Sequence, residues 1–427
     1  MINEESIEQV DRSYFSENFI KPLYDSFCFS KIPASAFSLL TGKEINSGLP
    51  TSCFLPPYER YDMVLLFFLD GFGWKFFKRF ENHPFCRRFL EKGMVSKLTA
   101  QFPSTTAAEV TSIHTGLEVG QTGIYEWYYY EPKVGRIIAP LLFSYAGDKV
   151  TQSLVAQNIH PSELFPFETI YQKLHKEGIT SYLFQHSTLC TSPYSQRMSQ
   201  GAHLVSYFTL KQGLQSLGEL IGSTRDQKTY ALFYYADIDS KGHRKGVDSS
   251  ELEQEILQTL DLLESNWDRF SSSGKKVALM LTSDHGMTAV NPRNTFYLNQ
   301  EYPLFHSFLK TNAAGCFLNP VGSCRDFFLH IKEECLEEAF NVLTSLLKGR
   351  AEIWKVSDLV DLGLFGSSVS SRFLERVGNL VILPLEGEAV WWFEKGRFEQ
   401  HFYGAHGGLS RDELEIPFLF NSLFVFF

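Results

Sequence analysis

Three hydrophobic runs in this chain end on a carboxylate: MVLLFFL runs into Asp70, ALFYYA into Asp237 and Asp239, and VALMLTS into Asp284. Runs this apolar have no polar face to offer water, so they read as strands buried on both sides. Such strands belong to a parallel sheet covered by helices, and in open α/β sheets ligands gather beyond the carboxyl ends of the strands. The chain therefore sets acids along one edge of one sheet. Imidazoles stand close behind them. His243 lies four residues after Asp239, His285 directly follows Asp284, and the segment GAHGG brings His406 in near the C-terminus.

Between residues 62 and 290, strand-like runs alternate with helical patterns such as ENHPFCRRFLEKG, ETIYQKLHKEGI and ELEQEILQTLDLLESNWDRF. That alternation predicts an α/β fold with a doubly wound, mostly parallel central sheet flanked by helices. Residues 1–60 read as a helical lead-in packed on the core and closed by the breaker-rich loop SGLPTSCFLPPYER. The core is expected over 61–294 and 401–427. Residues 295–400 change character, with FFLHI, a helical EECLEEAFNVLTSLLKG and NLVILPL followed by AVWWFEKG. They predict a smaller α+β lobe inserted before His406.

With 44% hydrophobic and 21% charged residues, 427 residues can bury a large core. Lys plus Arg at 39 against Asp plus Glu at 49 gives −10, which argues against a broad basic surface for nucleic acid. A small anionic substrate stays open, because bound cations reverse the local field. The seven cysteines are scattered and free of C-x-x-C spacing, as expected of small core residues in a reducing compartment. MINEESIEQVDRSYF offers no apolar leader, and no stretch reaches the roughly 18 apolar residues of a spanning helix. The expectation is a soluble, cytoplasmic protein without a membrane segment. Its oligomeric state is not specified.

Two divalent ions a few ångströms apart need carboxylate and imidazole ligands together, a mixture that zinc accepts and magnesium does not favour. Asp239, His243 and His406 make one three-ligand set, and Asp70, Asp284 and His285 the other. Asp237 is spaced less well to His243 and reads as a supporting or structural residue. A nucleophile is offered by FPSTTAAEVTSIHTG, where hydroxyls precede a helix that begins near Thr105 or Thr106. A helix N-terminus presents unpaired N–H groups to an anion. The competing reading is a capping box, with Thr106 as the cap and Glu109 reaching back.

The ordered set LDGFGW, FPSTTAAEVTSIHTG, DIDSKGH, SDHGM and HGGLS resembles the alkaline phosphatase superfamily, in its nucleotide pyrophosphatase/phosphodiesterase-like branch. The resemblance spans roughly residues 60 to 420. It implies two zinc-type ions, with manganese as the alternative, and a covalent intermediate on Thr106, nine residues before the pair Thr115-Gly116. It implies that Asp70, Asp284 and His285, with Thr106 itself, hold the activating ion, and that Asp239, His243 and His406 hold the ion on the substrate's phosphoryl oxygen. The implied substrate is a small phosphate diester or nucleotide pyrophosphate. A phosphomonoesterase or phosphonate hydrolase is the alternative, and an inactive binding homologue comes last. Trp127 falls where diesterase members carry an oxyanion-binding Asn. Phe72, Tyr125, Trp127 and Tyr128 are candidates to stack a planar group, and Lys241, Arg244 and Lys245 to add positive charge, although charge runs usually face water.

Overall fold

A computed structural model of the chain describes residues 1–43, 47–56, 60–224, 227–271 and 274–423. Seven strands form its central sheet: β1 (Met63–Leu69), β2 (Met94–Thr99), β3 (Thr180–His186), β4 (Ala202–Tyr207), β5 (Thr229–Tyr235), β6 (Val277–Thr282) and β7 (Glu415–Leu423). Their order across the sheet is β2-β7-β6-β1-β5-β3-β4. β1 pairs in parallel with both β5 and β6, and β3 pairs in parallel with β5 and β4. Only β7 runs against its neighbours, β2 and β6. The fold is the mostly parallel, helix-flanked α/β sheet that the sequence predicts.

The reason the three runs are apolar throughout is visible in β1. Val64, Leu66 and Phe68 enter one hydrophobic core, while Met63, Leu65, Phe67 and Leu69 enter another on the opposite face. Side chains alternate across a strand, so burial of both faces demands an unbroken run. The first core is roofed by the helices Ile32–Thr41, Thr106–Thr115 and Ile170–Lys176, and the second by Trp74–Phe80, Pro84–Lys92, Leu210–Ser223 and Ser250–Ser265.

Residues 1–56 contribute the helices Glu4–Asp11 and Ile32–Thr41. Single bridges from Ile2 to Val95 and from Cys28 to Thr99 lay this segment along β2, so the edge strand is covered. Positions 57–59 of the expected breaker loop and 424–427 of the expected core lie outside the described residues.

Before His406 the chain builds a second, four-stranded sheet, ordered Val321–Gly322, Phe327–Leu329, Leu380–Pro384, Ala351–Lys355 and antiparallel at each pairing. Phe328, Val381 and Leu383 join the main core from this sheet, while Phe327, Leu329, Leu380 and Ile382 face a core of their own under the helix Leu336–Leu346. A fully buried ion pair ties the two parts together. Arg325 Nε and Nη2 each stand 2.9 Å from a carboxylate oxygen of Glu413. The same carboxylate accepts from the Gly408 N–H at 3.1 Å and from the Ser410 hydroxyl at 2.6 Å. This clamp fixes the turn that carries His406.

Candidate metal centre

The sheet order sets the carboxyl ends of β6, β1 and β5 side by side. Asp70 follows β1 directly. Gly71 then adopts φ 75°, and a Cβ placed on it would stand 2.9 Å from Asp239 Cα, so only glycine fits this left-handed, close-packed position. Across that contact the Asp239 N–H donates to the Asp70 carbonyl at 3.2 Å. Asp239 and His243 share one face of the helix Asp237–Lys245, one turn apart. Asp284 and His285 follow β6, and His406 enters from the clamped turn. Asp237 is exposed in the first turn of its helix and stands apart from the cluster.

The six expected ligands converge in the two expected triads. In one, His285 Nε2 lies 3.5 Å from Asp70 Oδ1 and 3.3 Å from Asp284 Oδ2. In the other, Asp239 Oδ1 lies 3.3 Å from His243 Nε2 and 3.7 Å from His406 Nε2. The two histidines of this second triad bring their Nε2 atoms within 3.1 Å of one another.

Hydrogen bonds behind the cluster aim its lone pairs inward. His243 Nδ1 meets the Gly404 carbonyl at 2.7 Å, His406 Nδ1 the Ser104 carbonyl at 2.9 Å, and His285 Nδ1 the Gly286 carbonyl at 3.0 Å. A carbonyl only accepts, so each Nδ1 carries the proton and each neutral ring offers Nε2 as a bare acceptor. Asp70 Oδ1, Asp239 Oδ1 and Asp284 Oδ2 are buried and have no hydrogen-bond partner. Their other oxygens are satisfied: Tyr234 donates its hydroxyl to Asp70 Oδ2, and the Gly71 and His285 N–H groups each reach Asp284 Oδ1 at 3.0 Å.

Electrostatics point the same way. Burial, and then the neighbouring Asp284, lifts the Asp70 carboxyl well above the usual carboxylate range, and burial also raises Asp284. Burial raises Asp239 to about 6, with His243 opposing. Burial holds His285 down at about 3 and His406 well below its ordinary value. Buried carboxyls that resist ionisation, beside imidazoles that resist protonation, are a donor set short of positive charge, and a divalent cation in each triad fits it.

Thr106 stands beside the Asp70–Asp284–His285 triad, with Oγ1 3.2 Å from His285 Nε2. The capping-box reading is corrected at this point. Thr105, in extended conformation, caps the helix by accepting from the Ala108 N–H at 3.4 Å. Glu109 turns away and takes both the backbone N–H and the side-chain amide of Gln101. Thr106 is thus the first helical residue, and its hydroxyl is left free to face the cluster.

Two cavities open on this point and share Thr106, Trp127 and Asp239. The larger, about 440 Å³, reaches His243, His406, Trp391 and Phe398. The smaller, about 290 Å³, reaches Asp70, Tyr234, Gln185 and Ser192. Trp127 lines both cavities, and Tyr128 lines the larger one. Phe72 and Tyr125 are corrected, because both are fully buried in hydrophobic cores; Tyr125 packs on Tyr129 and Phe328. Lys241 is corrected as well: it pairs with Glu255 at 3.6 Å and lines neither cavity. Arg244 is exposed, and Lys245 pairs with Glu251 at 3.2 Å. Sequence reasoning passed over Tyr234, Ser104 and the Arg325–Glu413 clamp. Only strand register, which sets Tyr234 beside Phe68, reveals the first of these.

A seven-stranded, mostly parallel sheet with helices on both faces and paired triads at its strand ends is the architecture of the alkaline phosphatase superfamily. Within it the sequence matches the type I phosphodiesterase / nucleotide pyrophosphatase family over residues 64–409, and the chain belongs to that family, whose members hydrolyse phosphoester bonds. No curated protein matches the sequence. Similar solved structures include murine ectonucleotide pyrophosphatase / phosphodiesterase 5 in an inactive threonine-to-alanine form in complex with AMP, at 17% identity and TM-score 0.63. The human counterpart aligns at 19% identity and TM-score 0.63, and both alignments cover 84% of this chain and 87% of the other. Among the described residues no helix is long and apolar enough to cross a membrane.

Proposed function

We propose that the chain hydrolyses a phosphate diester or a nucleotide pyrophosphate bond, with Thr106 as nucleophile and two divalent ions as cofactors. The position of Thr106 carries the reading: its hydroxyl lies at a helix N-terminus, 3.2 Å from His285 Nε2 of one triad, on a cavity that Asp239, His243 and His406 of the other also line. Asp70, Asp284 and His285, with Thr106 beside them, would hold one ion, and Asp239, His243 and His406 the other. The mixed donors suit zinc, with manganese as the alternative. When bound, the pair would supply Lewis acidity to the reacting phosphoryl group and lower the pKa of the attacking hydroxyl.

Thr106 Oγ1 attacks phosphorus and gives its proton to solvent. The P–O bond opposite breaks, and the leaving oxygen keeps the electron pair and takes a proton on release. Water then cleaves the threonine ester and restores the hydroxyl. First-turn N–H groups of the Thr106–Thr115 helix are donors available to the equatorial oxygens. Cavities on two sides of Thr106 favour a diester over a monoester, which has one organic substituent to place. The AMP complex of the murine relative favours a nucleotide. Seven free thiols favour a reducing, cytoplasmic location.

The test is release of p-nitrophenol from bis-p-nitrophenyl phosphate by the metal-reconstituted chain. Thr106→Ala is expected to abolish release while the far-ultraviolet spectrum stays unchanged, with about two transition ions per chain in both proteins. Unchanged release removes Thr106 from the mechanism, and a chain that takes up no ion removes the centre.

A further inference from the structure

We infer that the leaving group of the substrate is a ring-bearing organic group without phosphate charge, and not pyrophosphate. This rests on the hydrolase reading and concerns the larger of the two cavities. Displacement at phosphorus is in line, so the leaving group departs on the side away from Thr106 Oγ1. Oγ1 touches His285 of the Asp70–Asp284–His285 triad, and the smaller cavity opens on Asp70 and Tyr234 of that side. His243 and His406, of the other triad, line the larger cavity alone. The larger cavity is therefore where the departing group lies.

Its wall suits a flat, uncharged or cationic group. Trp391 and Phe398 are 7% and 4% exposed, and Trp127, Tyr128 and Phe402 add further ring surface. Rings of this kind bind planar groups by offset stacking and edge contacts, and cations through their π faces. Pyrophosphate needs the opposite environment, with free guanidinium or ammonium groups to meet several negative charges. Among the described residues the wall holds one guanidinium, Arg397. That group is already engaged by Glu394 at 3.2 Å and the Ala146 carbonyl at 2.7 Å, and it lies 5.0 Å over the Phe398 ring. The other ionisable groups on the wall, besides the proposed ligands, include the carboxyls of Glu126 and Glu399, which add negative charge when they ionise. The proposed ion on His243 and His406 would meet the oxygen that leaves, but the further charges of a pyrophosphate would find no free cationic side chain on this wall to replace water. The smaller cavity has Leu141, Leu142 and Leu189 on its wall and also carries polar side chains. Gln185, 5% exposed and with an unpartnered Nε2, lines it together with Thr188 and Ser192, a suitable wall for a retained, hydroxyl-rich group.

The test uses two esters that retain the same group and differ in what departs: thymidine 5′-monophosphate p-nitrophenyl ester and thymidine 5′-triphosphate. With the reconstituted full chain, kcat/KM for the nitrophenyl ester is expected to exceed that for the triphosphate by about a hundredfold or more. Trp391→Ala, with the more exposed Phe402→Ala in reserve should the first fail to fold, is expected to shrink that ratio about tenfold, chiefly through KM. A triphosphate cleaved as well as the nitrophenyl ester, or a ratio unmoved by a folded variant, overturns the inference. Binding is read separately from turnover, by quenching of tryptophan fluorescence. p-Nitrophenol is expected to quench at concentrations where pyrophosphate does not, and the reverse order overturns the inference. If neither ester turns over but the expected quenching order holds, the hydrolase reading fails while the cavity assignment stands.

Discussion

The imidazole rings of His285 and His406 lie face to face, 3.5 Å between centroids and 10° between planes, although they belong to different triads. Burial already disfavours a charge on either ring, and the pressure of each on the other deepens the effect at His406. The tilt of one ring therefore sets the tilt of the other, and the two proposed ion positions are mechanically joined. His406→Ala removes one proposed ligand, but it also removes the ring face stacked on His285. The expected outcome is a fall from about two ions per chain to fewer than one, read by elemental analysis after gel filtration. A variant that keeps one tightly held ion would show that the triads load independently.

Thr105 and Thr106 are adjacent hydroxyls with separable duties. Thr105 accepts from the Ala108 N–H and caps the start of the helix, whereas Thr106 Oγ1 faces His285. Thr105→Ala should cost about 1 kcal/mol of stability through the lost cap, seen as a lower midpoint in urea. Thr106→Ala should leave that midpoint within about 0.5 kcal/mol and reduce hydrolysis by a factor of about 1000 or more. If Thr106→Ala destabilises as much as Thr105→Ala, the assignment of cap and nucleophile is reversed.

Gly71→Ala joins two penalties at one site. The residue sits at φ 75°, which costs an L side chain about 1 kcal/mol, and its new Cβ would be 2.9 Å from Asp239 Cα. The helix Asp237–Lys245 must then shift, and Asp239 and His243 move away from His406 with it. The expected result is a protein less stable by about 2 kcal/mol with weakened metal binding, checked by denaturation and by competition with a chromogenic chelator. Preserved affinity would mean that the backbone contact does not position Asp239.

The parts of this molecule that could be read from its sequence are those where a local pattern and a global constraint coincide. An unbroken apolar run signals burial on both faces, so the carboxylate that ends it marks a strand end at once, and Asp239 with His243 or Asp284 with His285 needs no knowledge of distant contacts. The sheet edge formed by β2 and β7 gives no such signal. MVSKLT contains Lys97, yet its ammonium is buried against Asp11 at 2.6 Å and Glu415 at 3.0 Å, partners far away in the chain. EIPFLFNSL contains Pro417, which argues against an inner strand. Its pairing with β6 begins one residue later, at Phe418, and the Pro417 carbonyl accepts from the Thr282 hydroxyl at 3.0 Å instead. The wall of the larger cavity was obscured for a related reason. Phe72 and Tyr125 are near the candidate ligand motifs in sequence but turn into the cores, whereas Trp391 and Phe398 come from a part of the chain more than 100 residues away from any motif but that of His406.

A pH-dependent stability follows from the carboxyl pair behind the larger cavity. Glu126 and Asp326 are 1% and 0% exposed, and the two carboxyls are near enough to influence each other. Burial pushes Glu126 up to about 8; burial, and then the nearness of Glu126, raises Asp326 well above the usual carboxylate range. In the unfolded chain both ionise near pH 4, about their ordinary value. Between these limits the native state keeps protons that the unfolded state has released. The pair's contribution is therefore fully present below about pH 4 and declines as the pH rises toward 8, by at most about 1.4 kcal/mol per unit and proton. Glu126→Gln keeps the shape while removing one titration. Urea midpoints at pH 5, 6.5 and 8 are expected to fall less steeply for the variant than for the unaltered chain. Parallel curves would mean that Glu126 holds the same charge in both states across that range.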